Sequence, residues 1–259
     1  MNNKKFYWFV FSNEQLLIKK EDNEYTVPYQ ENSPTSLAEW THVHELTYTD
    51  GEIFKCYAVD YPLTNLAEGY ETSALRPLFL LLPRRLYQMA GKGAEILYWD
   101  QNSKYCPVCG MPMKFHTPIS KRCTGCGKET WPSVATAIIV RISKGNQILM
   151  VHARNFRGDF FGLVAGFVET GETLEECVHR EVWEETGLRI KDIKYFGSQP
   201  WPYPCGLMVG FTAQYDSGEI KLQNSELSAG AFFSKENLPQ IPGKASLART
   251  LIDDWLNQE

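Results

Sequence analysis

Residues 166–188 read GFVETGETLEECVHREVWEETGL, a glycine-punctuated run whose second half carries more acid than a helix gains from. Thr173 followed three places later by Glu176 forms a capping box, and Gly187 stands where a helix C-terminal glycine belongs, so the spacing predicts a helix over 173–186. Helical periodicity puts Glu181 on one face with Glu184 and Glu185. Leu174, Cys177, Val178 and Val182 make the opposite, core-facing side. Like charges at these spacings repel. An isolated glutamate pair is ordinary solvated surface, but carboxylates converging within one turn are also natural ligands of a hard divalent cation. Arg180 lies four residues from both Glu176 and Glu184 and is placed to pair with either, keeping the carboxylates aimed.

Outward from this helix the pattern is α/β. Segments 135–142 and 147–153 read as strands paired across 143–146, further strands are predicted at 193–197, 207–215 and 230–233, and a second amphipathic helix at 246–257. The glycine-rich stretch 162–171 is expected to be a turn feeding the acidic helix. Residues 198–206, SQPWPYPCG, are expected to form a stiff loop, because each proline removes a backbone donor and restricts the residue before it. Such a loop holds Trp201 and Tyr203 at little entropic cost, offering flat surfaces to a ring.

Upstream, strands are predicted at 6–11, 15–19, 45–48 and 53–59, with a hairpin turn at 49–51 and a helix at 86–99. Between these halves stand Cys106-Pro-Val-Cys109-Gly and Cys123-Thr-Gly-Cys126-Gly. Two matched C-x-x-C pairs, each followed by glycine, predict one tetrahedral zinc ion with a structural role, since too few apolar residues surround the knuckles to fold without it. A redox dithiol needs only one pair, and His116 between the pairs reads as surface, because four thiolates already close the site. Cys56 and Cys177 read as small buried hydrophobes.

The 259 residues carry a formal charge of -5, which argues against a protein that chiefly clamps nucleic-acid backbones. No apolar run approaches the roughly 20 residues of a membrane span, and the opening MNNKKFYWFVFSNEQ lacks a cleavage site, so the chain is expected to be cytoplasmic.

Gly166, Glu172, Arg180-Glu181-Val182, Glu184-Glu185 and Gly187-Leu188 match every fixed position of the Nudix box, and the chain resembles Nudix hydrolases. The order of an N-terminal domain, a four-cysteine ribbon, the box and then SQPWPYPCG is similar to the NADH pyrophosphatase family within them, whose signature agrees at seven of nine positions. Tyr203 replaces a phenylalanine there, and Gly206 a serine. The resemblance implies an α-β-α Nudix sandwich with a mixed sheet over 132–259, a zinc ribbon over 105–131 and an N-terminal α+β domain over 1–104.

It further implies hydrolysis of NAD(H) to nicotinamide mononucleotide and AMP, with removal of NAD caps from RNA 5′ ends open to the same site. Glu181, Glu184, Glu185, Glu226 and the Ala165 carbonyl would hold Mg2+ or Mn2+, with Arg180 among the catalytic residues and Glu184 a ligand or base. Substrate would meet Phe167, Trp131, Gln199, Pro200, Trp201, Pro202, Tyr203, Pro204, Cys205, Gly206, Ala248 and, by a looser alignment, Arg76. Trp131 stands where the family has a tyrosine. A homodimer is implied as well. The competing readings are a non-catalytic Nudix nucleotide sensor and a hydrolase of another nucleoside diphosphate such as ADP-ribose; the intact glutamates and acidic charge speak against the sensor.

Overall fold

The computed structural model describes residues 4–156 and 158–258. Its chain divides into two compact units, Met1–Ser133 with Pro202–Cys205, and Val134–Trp201 with Gly206–Glu259.

In the first unit, β1 (Phe6–Ser12), β2 (Gln15–Glu21), β3 (Glu24–Thr26), β4 (Tyr29–Gln30), β5 (His44–Thr47), β6 (Ile53–Val59) and β7 (Tyr70–Ala74) form a seven-stranded sheet. Its central pair, β1 and β6, is parallel, and its other pairings are antiparallel. The predicted hairpin between β5 and β6 is present, with Gly51 at φ 86° accepting the left-handed turn. Strand alternation divides the core: Phe9 and Phe11 pack in the cluster that contains α1 (Arg84–Asn102), whereas Trp8 and Val10 pack in a second cluster with Leu17, Tyr57 and Val59. After α1 come β8 (Met113–Thr117), β9 (Ser120–Cys123) and β10 (Glu129–Thr130), the three-stranded ribbon that carries the cysteines.

The second unit is the α-β-α sandwich. Its sheet holds β11 (Ala135–Lys144), β12 (Gln147–Ala153), β13 (Val164–Phe167), β14 (Arg189–Trp201), β15 (Gly206–Ser217) and β16 (Leu227–Ser234). β11 runs parallel to β15, while β12, β13, β14 and β16 pair antiparallel, so the sheet is mixed. β11 is covered on both faces. Ile138, Val140 and Ile142 pack with Cys177, Val178 and Val182 of α2 (Leu174–Thr186), and Ile139 packs with Leu247, Leu251 and Ile252 of α3 (Leu247–Leu256). Arg141, buried in the sheet, donates to the Leu251 carbonyl at 3.0 Å and pairs with Asp254 at 2.7 Å, fastening α3.

Two local expectations are corrected. Residues 164–167 within the glycine-rich stretch are strand β13, whose Ala165 pairs with Ile139 of β11. Ser198 to Trp201 continue strand β14 opposite Val209 to Gly206, and the stiff loop is only Pro202–Cys205. Proline is tolerated there because β14 is the sheet's edge, where Pro200 forfeits no ladder bond to an outer neighbour. Among the described residues no helix is long and apolar enough to cross a membrane.

Candidate active site and metal centre

Helix α2 begins as its capping residues dictate. The Thr173 hydroxyl accepts from the Glu176 amide at 3.2 Å, the Glu176 carboxylate accepts from the Thr173 amide at 2.7 Å, and Gly187 closes the helix at φ 67°. With Glu176 committed to the cap, Arg180 makes the Glu184 pair of the two alternatives the spacing offered and none with Glu176. Arg180 takes Glu172 instead in a two-pronged bridge, Nη2 to Oε1 at 2.6 Å and Nε to Oε2 at 3.0 Å. It also donates to Glu181 at 2.9 Å, Glu184 at 3.2 Å and the Phe167 carbonyl at 2.9 Å. One guanidinium thus ties β13, the approach to α2 and two of its acids together. The Arg180 guanidinium holds Glu172 well below the usual carboxylate range, at about 2.

Glu181 and Glu185 are 9% and 5% exposed, which is unusual for carboxylates. Burial raises both, Glu185 to about 8, with Glu181, Glu226 and Glu184 adding like-charge repulsion at Glu185. Glu181 fits because residue 166 is glycine: a Cβ there would stand 1.9–2.3 Å from the Glu181 carboxyl atoms. Glu226 arrives from a separate loop, fastened by the Gln223 amide on the Glu185 carbonyl at 2.9 Å and the Arg154 amide on the Glu226 carbonyl at 2.8 Å. A cavity of about 320 Å³ has Ala165, Glu185 and Glu226 on its wall with Arg154, Asn155 and Phe156. A buried carboxylate repelled by neighbouring acids beside an open cavity is what a divalent cation would stabilise, and the donor set is all oxygen.

The four cysteines meet a different standard of closeness. The Sγ atoms of Cys106, Cys109, Cys123 and Cys126 lie within 4.8 Å of one another, and no other group of three or more potential ligands does so among the described residues. Cys106 and Cys126 are 3.6 Å apart, and Cys109 and Cys123 are 3.4 Å apart, near the edge of about 3.8 Å that zinc–sulfur bonds of about 2.3 Å set in a tetrahedron. The Cys126 and Gly125 amides donate to the Cys123 sulfur at 3.4 and 3.3 Å and, with the Cys126 contact the stronger, draw that thiol down to about 6. The set fits a zinc ion. His116 is exposed and bonded to Arg122 at 2.7 Å, away from ligand duty.

The signature residues divide between the units. Pro202, Tyr203 and Pro204 line a cavity of about 880 Å³ in the first unit, which also has Arg76 on its wall. Tyr203 is fixed there by a 2.7 Å bond to the Tyr87 hydroxyl. In the second unit, Gln199 donates to the Ala245 carbonyl at 3.0 Å, leaving its own buried oxygen unpartnered. Pro200 is exposed, and Trp201 and Cys205 are half-buried. Ala248 is buried at the start of α3 in the cluster that includes Ala165. Gly206 opens β15 where a Cβ would meet the Trp201 carbonyl at 3.0 Å. Phe167 and Trp131 are exposed, at 65% and 55%. Three features went unread in the sequence: the Glu172–Arg180 bridge, the Gly166 cradle and Arg154. The fixed eight-residue interval between Glu172 and Arg180 was the available signal for the first.

Comparison with known proteins accounts for both halves of the chain. Residues 131–255 match the NUDIX domain, and residues 5–99 match the NADH pyrophosphatase-like rudimentary NUDIX domain. The chain is 34% identical over 258 residues to the NAD-capped RNA hydrolase NudC of Vibrio cholerae, covering 98% of this chain and 91% of that one. It is 42% identical to the protein of the same name from Haemophilus influenzae strain PittGG over 67% of each chain. A Deinococcus radiodurans protein of that name is 39% identical over 75% of this chain and 72% of its own. Nudix hydrolases use divalent metals, and the chain belongs to the NADH pyrophosphatase family of Nudix hydrolases.

Proposed function

We propose that this chain hydrolyses the diphosphate bond of NADH and NAD, yielding the nicotinamide mononucleotide and AMP, and that the same site removes NAD caps from RNA 5′ ends. The observation that carries the reading is similarity along 98% of the chain to a relative named as an NAD-capped RNA hydrolase. The acidic cavity of Glu185 and Glu226 supports it chemically. In this reading Glu181, Glu184, Glu185, Glu226 and the Ala165 carbonyl hold Mg2+ or Mn2+. Such ions, when bound, neutralise a diphosphate and acidify a water molecule. Water adds across the P–O–P bridge: its oxygen ends on one phosphorus, and the bridging oxygen leaves with the other. Arg180 keeps Glu181 and Glu184 from swinging away from the site.

Substrate contacts fall to Phe167 and Trp131 by stacking, to residues 199–206 and Arg76, and to the Ala248 backbone. One zinc ion per chain, held by Cys106, Cys109, Cys123 and Cys126, serves a structural role. The enzyme works as a homodimer in the cytoplasm, a compartment consistent with seven cysteines that form no disulfide. Incubating the purified protein with NADH and Mn2+ or Mg2+, and resolving products by chromatography, tests the proposal. Equal amounts of reduced nicotinamide mononucleotide and AMP are expected; binding without turnover would overturn it in favour of a sensor.

A further inference from the structure

Two arginines stand among the acids of the second unit, and they are treated oppositely. Arg180 is consumed by carboxylates: Glu172, Glu181 and Glu184 all pair with it. Arg154 lines the cavity of Glu185 and Glu226, yet among the described residues no carboxylate lies within ion-pair distance of its guanidinium. Its Nε donates to a neutral acceptor, the Asn224 carbonyl at 2.5 Å, and its amide holds the Glu226 carbonyl at 2.8 Å. The backbone bond and the Nε bond fix where this exposed side chain stands while leaving its charge and its two terminal nitrogens without a protein partner among the described residues.

An unpaired guanidinium on a wall shared with buried Glu185 and exposed Glu226 is poorly placed for a cation arriving alone. It is well placed for an anion that arrives with one, because two planar N–H groups match two oxygens of a phosphoryl group. We infer that Arg154 binds the substrate's diphosphate, completing with positive charge a site whose other wall is acidic. The inference rests on the diphosphatase reading above and names a residue that determines which anion the metal-loaded site accepts.

Binding of inorganic pyrophosphate to the full chain, measured by calorimetry with Mn2+ present, separates this inference from that reading, because it needs no turnover. The wild type is expected to bind, and Arg154→Gln to bind about tenfold to a hundredfold more weakly, the scale of a charge-assisted hydrogen bond. Arg154→Lys, which keeps the charge, should recover part of the loss. Mn2+ affinity measured without pyrophosphate should be the same in all three proteins. Wild type that fails to bind pyrophosphate, or Arg154→Gln that binds as the wild type does, overturns the inference. Mn2+ affinity falling in step with pyrophosphate affinity also overturns it, since Arg154 would then be only a strut for the Glu226 loop. Absence of NADH hydrolysis in a protein that passes these tests would count against the NAD(H) assignment and leave Arg154 as a diphosphate ligand.

Discussion

The thiols of the ribbon lie within 4.8 Å of one another and take hydrogen bonds from their own knuckle amides. The acids of the sandwich repel one another and are partly buried, and two of them are tied to an arginine bridged to a fifth glutamate. The first arrangement is closed: four sulfurs exhaust a tetrahedral ion and leave no position for a substrate. The second is open, because Glu185 and Glu226 come from one helix and one loop on the wall of a cavity and would leave a bound ion positions for water and phosphate. A closed thiolate site of this kind would contribute to folding, whereas a repelling acidic cluster costs stability and fits the proposed chemistry.

The sharpest way to break this contrast is Glu185→Gln. It keeps the volume and removes a buried ionisable carboxyl, so kcat/KM for NADH should fall at least about a hundredfold, or about 2.7 kcal/mol, while the melting temperature of the metal-free protein holds or rises. Activity within a few fold of wild type would remove Glu185 from the site. The converse variant, Cys106→Ser, should release zinc by metal analysis and lower the melting temperature by about 5 °C or more. Unchanged zinc content would show that the ribbon is not closed by that thiol.

Gly166→Ala sharpens the comparison from the backbone side. A methyl group would coincide with the Glu181 carboxyl, which must then leave its cradle, so NADH turnover should fall about tenfold or more with the ribbon's zinc intact. Wild-type turnover would mean that Glu181 acts from another position.

A smaller effect follows from pH. Glu185 is raised to about 8 against an ordinary value near 4.5, so its contribution to metal-free stability is fully present below pH 4.5 and is lost as pH rises through 8. Thermal scans should therefore show the metal-free wild type losing ground to Glu185→Gln between pH 5 and 8. Mn2+ affinity should tighten over the same window by up to about tenfold per unit, as the proton leaves the ligand. Parallel pH profiles for the two proteins would contradict the buried, repelled carboxylate.

Much of this was legible in the sequence because it is local. The capping box, Gly187, the periodicity of Cys177, Val178 and Val182, and the paired C-x-x-C spacing each act within a few residues, and the structure realises each of them. What escaped depends on competition between partners or on distant chain. Whether Glu176 or Glu172 wins Arg180 is decided by the cap, which uses up Glu176. Pro200 could enter a strand only because β14 lies at the edge of the sheet, a property of strand order that no window of residues states. Arg154 gained meaning only once the loop of Asn224 and Glu226 was brought beside it. Among the proposed substrate residues, the loop proline and tyrosine joined Arg76 at one cavity although 126 positions separate Arg76 from Pro202.

The difference between an open and a closed metal site is tested most directly by brief dialysis against a chelator, followed by Mn2+ alone, with NADH hydrolysis and zinc content measured at each step. The account predicts that hydrolysis is lost and then restored by Mn2+ while one zinc per chain stays throughout. Hydrolysis that survives the chelator, or zinc that leaves together with the activity, would contradict it.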